Sequence, residues 1–432
     1  MEQMEETSKI QMRKRNMKLF PAYKTLSWDY IFFYTVNFLF LTQVKHINPA
    51  DVVLIDSFYY LFNMFSQIPA TFIIEFLGRK NSIILGNILS CLYMVVILFS
   101  NNLFNLIIAE MLSATSFAIK ESAEPSLLNE SIPPSKYKSK IFAKISQKGA
   151  SGYYIINAIC TIIAGIFYEI NPYIPILLSL GVLMITTIMS ILLIEPVKKT
   201  KKKKVQSVGQ FKELGEAFKF VLKSERIKSL ILFAAVMRGI TSILSNYEIS
   251  MMEELEIPAS YLGILFAMLG IIAGIATKKQ ESVHNKLRNK TLTTIGLLVV
   301  GSCIFAGIFG TIAPKYPVVI LFIIGFYVAK YALIAIYDPL IEKYLSNFTN
   351  EEIDTKIFTA NNFLKGIAGA ISGILAAFLL DRMETAYCMI IVGVIFGSLM
   401  IAVNRFMKAR VGLKPEEYSK EEVKYDKIKE MA

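Results

Sequence analysis

The sequence has few of the side chains that bind metals or build disulfide frameworks. Its 432 residues include only four cysteines and two histidines. No pair of cysteines has the spacing of a metal site or of a disulfide-rich scaffold, and all four stand singly in apolar stretches. They are Cys91, Cys160, Cys303 and Cys388. His46 and His284 lie in polar segments without a second ligand at helical spacing. We therefore expect no metal site, no cofactor and no disulfide framework.

Charged residues make up only 19% of the chain, and signals of nucleotide-driven or enzymatic chemistry are missing. The phosphate-binding pattern Gly-x4-Gly-Lys-Ser/Thr does not occur, which excludes an ATP-driven pump within this chain. No nucleophile–base pair or carboxylate cluster suits a membrane-embedded enzyme. The first apolar run is not followed by a small-residue cleavage site, so we expect no cleavable signal peptide.

Apolar residues dominate the composition. Hydrophobic residues make up 54% of the chain without counting glycine, and the mean hydropathy is +0.50. A soluble domain has about 45–50% apolar residues even with glycine included. The apolar runs are long and do not alternate with polar residues, which excludes an outer-membrane barrel. The sequence therefore predicts an all-α polytopic membrane protein.

Hydropathy divides the chain into twelve predicted spans, numbered 1 to 12 in chain order. They cover residues 28–45, 51–75, 82–100, 103–128, 146–168, 173–194, 229–251, 259–277, 291–312, 316–341, 357–380 and 385–406. Lys and Arg concentrate in the two terminal segments and in the loops after even-numbered spans, whereas the other face has only Lys45, Lys315 and Arg382. The positive-inside rule then predicts a multi-pass protein of the cytoplasmic membrane with both termini in the cytoplasm. The net charge of +12 thus reflects topology, and no nucleic-acid partner is expected.

The longest break between spans, residues 195–228, separates two sets of six. A lysine-rich run from Lys198 to Lys204 should attract anionic lipid, although a solvated linker would carry the same charges. Apolar and basic residues at helical spacing from Phe211 to Lys223 predict an amphipathic helix on the membrane surface. The predicted domains are an N-terminal six-helix bundle at 1–194, this cytoplasmic linker at 195–228, a C-terminal six-helix bundle at 229–408 and a charged cytoplasmic tail at 409–432.

Four short matches, in the same order, relate the two sets of spans. They pair Lys140-Ile-Phe-Ala with Lys356-Ile-Phe-Thr, Lys148-Gly149 with Lys365-Gly366, Glu124-Pro125 with Asp338-Pro339, and Pro49-Ala50 with Pro258-Ala259. Six spans followed by six in the same orientation is a parallel duplication, which transporters use to form a site between the halves. The sequence therefore predicts two six-helix bundles related by a parallel internal repeat.

The loop between spans 2 and 3 carries a specific resemblance. It contains Glu75, Gly78, Arg79 and Lys80, and it resembles the signature loop of the major facilitator superfamily: glycine, three residues, aspartate, arginine, any residue, glycine, arginine, lysine or arginine. Gly78, Arg79 and Lys80 match, Glu75 replaces the aspartate, and Thr71 and Phe76 depart from the pattern. With the twelve spans and the repeat, the resemblance covers essentially the whole chain. It implies a secondary transporter, not an enzyme. We expect the protein to be a monomer.

Ionisable residues at membrane depth are costly and are functional candidates by default. Glu110 in span 4 and Asp56 in span 2 are the acids that best fit a proton-coupling role. Asp29, at the start of span 1, is a further candidate that could instead lie at the cytoplasmic edge. Arg238 and Lys330 provide two bases in the second half. These acids and bases could also simply neutralise one another.

The resemblance implies that spans 1, 4, 7 and 10 line a central cavity. The candidate cavity residues on these spans, in addition to Glu110, are Tyr34, Asn37, Arg238, Asn246, Tyr247 and Lys330. The two tyrosines could equally serve packing.

Similar residues in the family form ion pairs that close a cytoplasmic gate. By motif match and by the repeat, the predicted gate residues are Glu75, Gly78, Arg79, Lys80, Glu124 and Asp338. Interfacial charges without a gating role are the alternative, and Lys120 with Glu124 could pair within one helix.

The direction of transport rests on weaker signals. The segment from Phe211 to Leu222 resembles that of macrolide-efflux members, and the composition indicates an AT-rich bacterial genome. Span 5 lacks the Gly-Pro motif of proton antiporters, and Glu110 stands where exporters often have an arginine. A lone acid in span 4 suits lipophilic cations. We therefore favour proton-coupled efflux of amphipathic or drug-like small molecules. The alternatives are transport of an organic anion or nutrient through Arg238 and Lys330, or a transport-dead sensor or scaffold.

Overall fold

The computed structural model describes residues 2–133, 137–195, 224–287, 290–347 and 351–408, and these residues form helices without any strand. The helices are α1 (Glu2–Ser27), α2 (Pro49–Leu77), α3 (Arg79–Phe99), α4 (Leu103–Ser131), α5 (Lys138–Ile170), α6 (Ile174–Leu192), α7 (Glu225–Glu254), α8 (Ala259–Lys278), α9 (Gln280–Leu287), α10 (Thr291–Ile312), α11 (Ile320–Asn347), α12 (Glu351–Leu380) and α13 (Thr385–Lys408). The lysine-rich run, the predicted amphipathic helix and the charged tail lie outside the described residues.

Ten helices in the described part of the chain are long and apolar enough to cross a membrane. They correspond to predicted spans 3 to 12, so the prediction of twelve spans is confirmed only in part. Predicted span 2 is a 29-residue helix, α2, whose hydropathy is lowered by Asp56, Asn63 and Gln67. All-α architecture and a multi-pass membrane protein are confirmed.

The prediction of a continuous helix at residues 28–45 is wrong. The polar segment expected before the first span forms α1, which ends at Ser27, and residues 28–36 follow as turns with Phe32 at a φ of 74°. Only a short helix at Asn37–Leu39 and a π-helical turn at Phe40–Val44 follow. The buried ammonium group of Lys120 on α4 lies 3.5 Å from the Ser27 carbonyl, and a cation at this position stabilises the C-terminal end of a helix.

The chain divides into two compact units, and the first comprises the described residues of Met1–Ile47, Phe58–Val205 and Pro258–Ala267. Within it α3 packs against α4 and α6, and α1 packs against α5. Tyr23 of α1 is fully buried against Ile83, Ala123 and Leu127. The second half of α1 is therefore part of the core of this unit.

The second unit comprises the described residues of Asn48–Ser57, Gln206–Ile257 and Met268–Ala432. Here α10 packs against α13 and α11, and α7 packs against α12 and α13. Each unit thus contains a ten-residue segment from the sequence of the other half: the start of α2 belongs to the second unit, and the start of α8 to the first.

Close backbone approach in the second unit depends on glycine. A Cβ atom at Gly307 of α10 would lie 2.7 Å from the Ala386 carbonyl oxygen and 3.0 Å from the Ile390 nitrogen, which are main-chain atoms of α13. Gly301, in the same helix, has open space at the corresponding position. Small residues allow such close helix contacts in lipid.

We expect Gly307→Ala to destabilise the protein by about 1–3 kcal/mol, because main-chain atoms of α13 must move to admit the methyl group. The matched variant Gly301→Ala should leave the melting temperature unchanged or slightly higher, since alanine is the better helix former. Thermal unfolding of the purified protein in detergent measures both. Equal melting temperatures for the two variants would contradict the packing described for α10 and α13.

Candidate functional site

A buried polar network lies at the end of α1 in the first unit. The Glu124 carboxylate of α4 is fully buried, with Lys24 Nζ at 2.5 Å and the donating Tyr23 hydroxyl at 2.8 Å. The side-chain amide of Asn87 donates to the Tyr23 hydroxyl at 3.1 Å. Sequence reasoning placed Glu124 at a gate or in a pair with Lys120, whereas its ion pair in the structure is with Lys24.

Lys120 is the most deeply buried cation of this network, with 2% of its surface exposed. Its ammonium donates to the Ser90 hydroxyl at 3.2 Å and to the Ser27 carbonyl at 3.5 Å. It also lies 4.3 Å from the centre of the Phe117 ring. A buried charge is tolerable only when it is hydrogen-bonded or paired, and Lys120 meets this requirement largely with neutral groups.

Asp29 is the second residue after the end of α1. One oxygen of its carboxylate accepts from the Tyr30 main-chain nitrogen at 2.7 Å, and the other accepts from the Tyr153 hydroxyl at 3.2 Å. The Tyr153 ring stacks on Trp28, with the ring centres 5.5 Å apart. Tyr34, a predicted cavity residue, is exposed. The broken first span therefore gathers an acid and several aromatic rings in one place.

Glu110 is buried in the first third of α4, in the apolar context seen in the sequence. It interacts electrostatically with the phenol groups of Tyr30 and Tyr59. The Tyr30 hydroxyl donates to the Ser113 hydroxyl one turn further along α4, at 2.9 Å. Tyr30 therefore lies between the two candidate acids of the first unit, Asp29 and Glu110.

The second unit contains a buried ion pair that sequence reasoning missed. Lys330 Nζ of α11 lies 2.7 Å from both carboxylate oxygens of Glu248 in α7, and the two residues are 3% and 1% exposed. Cys303 and Tyr327 line the space around them. Lys330 was predicted as a cavity cation, but its charge is neutralised within its own unit. Glu248 could have been identified from the sequence, because it is an acidic residue within the apolar span 7, just as Glu110 is within span 4.

The remaining candidates of the second unit lie in different surroundings. Asp56 interacts with the side chain of Asn246. Arg238 is exposed on α7. Tyr247 is fully buried and its hydroxyl donates to the Ala376 carbonyl of α12 at 2.7 Å, so the structure gives it a packing role. In the first unit, the buried Oδ1 of Asn37 accepts no hydrogen bond from the described residues.

The signature loop joins α2 to α3 in the first unit. Gly78 has a φ of 84°, which favours glycine, and it precedes α3. Arg79 pairs with Glu130 at 2.6 Å, and the Glu195 carboxylate accepts from the main-chain nitrogens of Arg79 and Lys80 at 3.3 and 2.7 Å. Neither Glu130 nor Glu195 was predicted as a partner.

Two gate candidates are exposed: Glu75, close to the end of α2, and Asp338, in the second half of α11. Among the described residues no group of three or more His, Cys, Asp or Glu side chains is arranged to hold a metal ion.

We expect Glu248→Gln to destabilise the protein by about 3–5 kcal/mol, because Lys330 would keep a buried charge without its partner. The double variant Glu248→Gln, Lys330→Met removes both charges and should regain most of the lost stability. Thermal unfolding and detergent size-exclusion profiles of both variants measure the effect. A single variant as stable as the unmodified protein, or a double variant no better than the single one, would contradict a close ion pair.

Comparison with known proteins identifies the family to which the chain belongs. The profile of the Major Facilitator Superfamily matches residues 20–335. Among solved structures, the nucleoside transporter NupG covers 92% of this chain and 99% of its own, with a TM-score of 0.71 at 8% identity.

Two peptide-transporter structures are also similar. A POT family transporter in complex with 5-aminolevulinic acid covers 93% of this chain and 96% of its own, with a TM-score of 0.64 at 12% identity. The peptide transporter POT in complex with sulfate covers 92% and 95%, with a TM-score of 0.66 at 12% identity. A search of curated proteins gave no match. The resemblance drawn from the signature loop is confirmed at the level of the superfamily, and with it a transporter rather than an enzyme. The chain belongs to the Major Facilitator Superfamily.

Proposed function

We propose that this protein is a secondary active transporter that exports amphipathic, drug-like small molecules across the cytoplasmic membrane in exchange for protons. The observation that carries the proposal is the balance of buried charge in the first unit. Among the charged side chains that are buried in the described part of this unit, the carboxylates of Glu110 and Glu124 outnumber the single ammonium group of Lys120. A net negative interior attracts cations, including protons and cationic amphipaths.

Glu110 is the proposed proton-coupling residue. Its neighbours in the first unit include the uncharged phenols of Tyr30 and Tyr59, and the Tyr30 hydroxyl donates to Ser113. A charged carboxylate at membrane depth costs free energy, so its protonated form is favoured there. Asp56 and Asp29 are secondary candidates for this role.

Two residues with positive φ, at equivalent positions in the two halves of the chain, support the proposed internal repeat. His46 precedes α2 with a φ of 55°, and Glu256 precedes α8 with a φ of 56°. The segments grouped with the opposite unit, Asn48–Ser57 and Pro258–Ala267, begin at the same distance after these corners. Two six-helix bundles at 1–194 and 229–408, working by alternating access, fit this regularity.

The cytoplasmic gate is proposed to include the predicted residues Glu75, Gly78, Arg79, Lys80, Glu124 and Asp338. The contacts of the signature loop suggest that some acidic residues close the gate and others position the loop. Arg79 is held by Glu130, and Glu195 caps the start of α3, so these two acids would position the loop. Anionic lipid at the central basic segment and a monomeric state remain part of the proposal.

Transport of an organic anion or nutrient is the alternative, and a sensor without transport is the remaining one. The anion alternative relied on Arg238 and Lys330. Since Glu248 neutralises Lys330, Arg238 would have to supply the anion-binding charge alone. The balance of buried charge in the first unit therefore favours a cationic substrate.

We expect Glu110→Gln to abolish proton release while leaving folding intact, because the amide cannot carry the exchanged proton. Everted vesicles are energised to an acidic interior, and a pH-sensitive dye reports proton release when a lipophilic cation is added. The control Glu281→Gln changes an exposed acid on α9 and should behave as the unmodified protein. Normal coupling in Glu110→Gln would rule out this residue, and silence of the unmodified protein with cations would contradict cation efflux.

Arg238→Ala tests the anion alternative in the same vesicles. If the proposal is correct, cation-driven proton release persists in this variant, because no step assigned to the cation uses the guanidinium group. Loss of an anion response with retention of the cation response would assign anion binding to Arg238. Equal loss of both would indicate a structural ion pair.

A further inference from the structure

The interruption of the first span carries an unusual set of side chains. Residues 28–36 are not helical, and they include Trp28, the single tryptophan of the chain. Irregular backbone at membrane depth occurs where it is buried in protein or lines a cavity. Discontinuous helices of this kind form substrate sites in many transporters. The interruption is therefore the place in the first unit where a ligand site is physically favoured.

Aromatic rings surround one carboxylate at this interruption. Trp28 stacks on Tyr153, whose ring centre is 5.5 Å from that of Tyr154. The Tyr153 hydroxyl donates to Asp29 and interacts with the phenol of Tyr34. Tyr34 and Tyr154 are each 62% exposed, so their rings are open to a ligand. Large apolar rings left uncovered next to an acid are the components of a site for organic cations.

The charges near Asp29 leave room for a further cation. Asp29 forms no ion pair with the described residues, and the ammonium of Lys120 acts on it only at longer range. Lys24 Nζ lies 4.8 Å from the centre of the Trp28 ring, so the indole already accepts an ammonium group. The charge of Lys24 is itself neutralised by Glu124. Among the described residues, the carboxylate of Asp29 thus has hydrogen-bond donors but no directly contacting counter-ion.

We propose that Asp29, with the rings of Trp28, Tyr34, Tyr153 and Tyr154, binds a monovalent organic cation with apolar substituents. The carboxylate supplies the charge complement, and the open rings cover the apolar groups while their faces attract the positive charge. This inference rests on the proposed transport of cationic amphipaths and assigns Asp29 to substrate recognition rather than to proton coupling. Glu110 remains the proton-coupling residue.

The single tryptophan allows a direct binding experiment on the purified full-length protein. Trp28 emission is followed during titration with tetraphenylphosphonium and, separately, with tetraphenylborate, an anion of similar size and shape. We expect saturable quenching by the cation and no saturable quenching by the anion. Asp29→Asn should raise the dissociation constant for the cation about tenfold or more, and Tyr153→Phe, which keeps the ring, should raise it less.

Two further variants keep the test decisive. Glu281→Gln removes an exposed acid far along the chain and should leave the dissociation constant unchanged. If Asp29→Asn fails to give a monodisperse protein, Tyr154→Leu removes an exposed ring instead, and it should weaken cation binding severalfold. Equal quenching by both probes would identify an interfacial aromatic belt and overturn the proposal. An unchanged dissociation constant in Asp29→Asn or in Tyr154→Leu would also overturn it.

The binding experiment needs no gradient and no transport, so its outcome is separable from that of the vesicle experiment. Cation binding that depends on Asp29, with no proton release in vesicles, would retain the site and contradict proton-coupled efflux. Proton release that depends on Glu110, with no binding at Trp28, would retain the transport function and overturn the site.

Discussion

α1 ends at Ser27, where the buried ammonium group of Lys120 lies 3.5 Å from the carbonyl, and the polar contacts of Asp29 and Tyr30 come directly after that helix end. A helix terminates with unpaired carbonyl groups and a partial negative charge, which a cation stabilises. Lys120 supplies that cation from α4 at the Ser27 carbonyl, and Ser90 and the Phe117 ring complete its surroundings. Because the helix stops there, the next residues are free to turn. Asp29 can then meet Tyr153, and Tyr30 can reach Ser113.

The two units bury charge in different ways, and the difference bears on function. In the second unit Lys330 and Glu248 neutralise one another through two short contacts, which leaves little charge for a ligand. In the first unit Lys24 and Glu124 form one pair, while Lys120 is held largely by neutral groups. Burying an ion costs free energy unless it is paired and hydrogen-bonded. A buried ion without a direct counter-ion is therefore expected at a position where its charge has a functional role.

Hydropathy predicted most of the fold because long apolar helices depend mainly on local composition. α10 begins and ends at Thr291 and Ile312, as predicted, and α8 extends one residue beyond its predicted end. Hydropathy did not predict the interruption of the first span, because the contact at that point joins Lys120 to Ser27, which are 93 residues apart in the sequence. Individual charges such as Glu110 and Lys330 could be identified from their apolar context. Which charges pair could not be predicted, because Glu248 and Lys330 are 82 residues apart and meet only through helix packing.

Tyr30 gives the two proposed acids of the first unit a physical connection. Its main-chain nitrogen donates to Asp29, and its hydroxyl, bonded to Ser113, interacts with Glu110. A cation that bound at Asp29 would compete for the same carboxylate oxygens and so displace Tyr30. Displacement of Tyr30 would break its hydrogen bond to Ser113, one turn from Glu110, and so change the surroundings in which the Glu110 carboxyl takes up or releases a proton. Exchange requires that binding of the substrate at one site changes the affinity for the proton at another, and a residue that contacts one acid and lies near the other can provide this coupling.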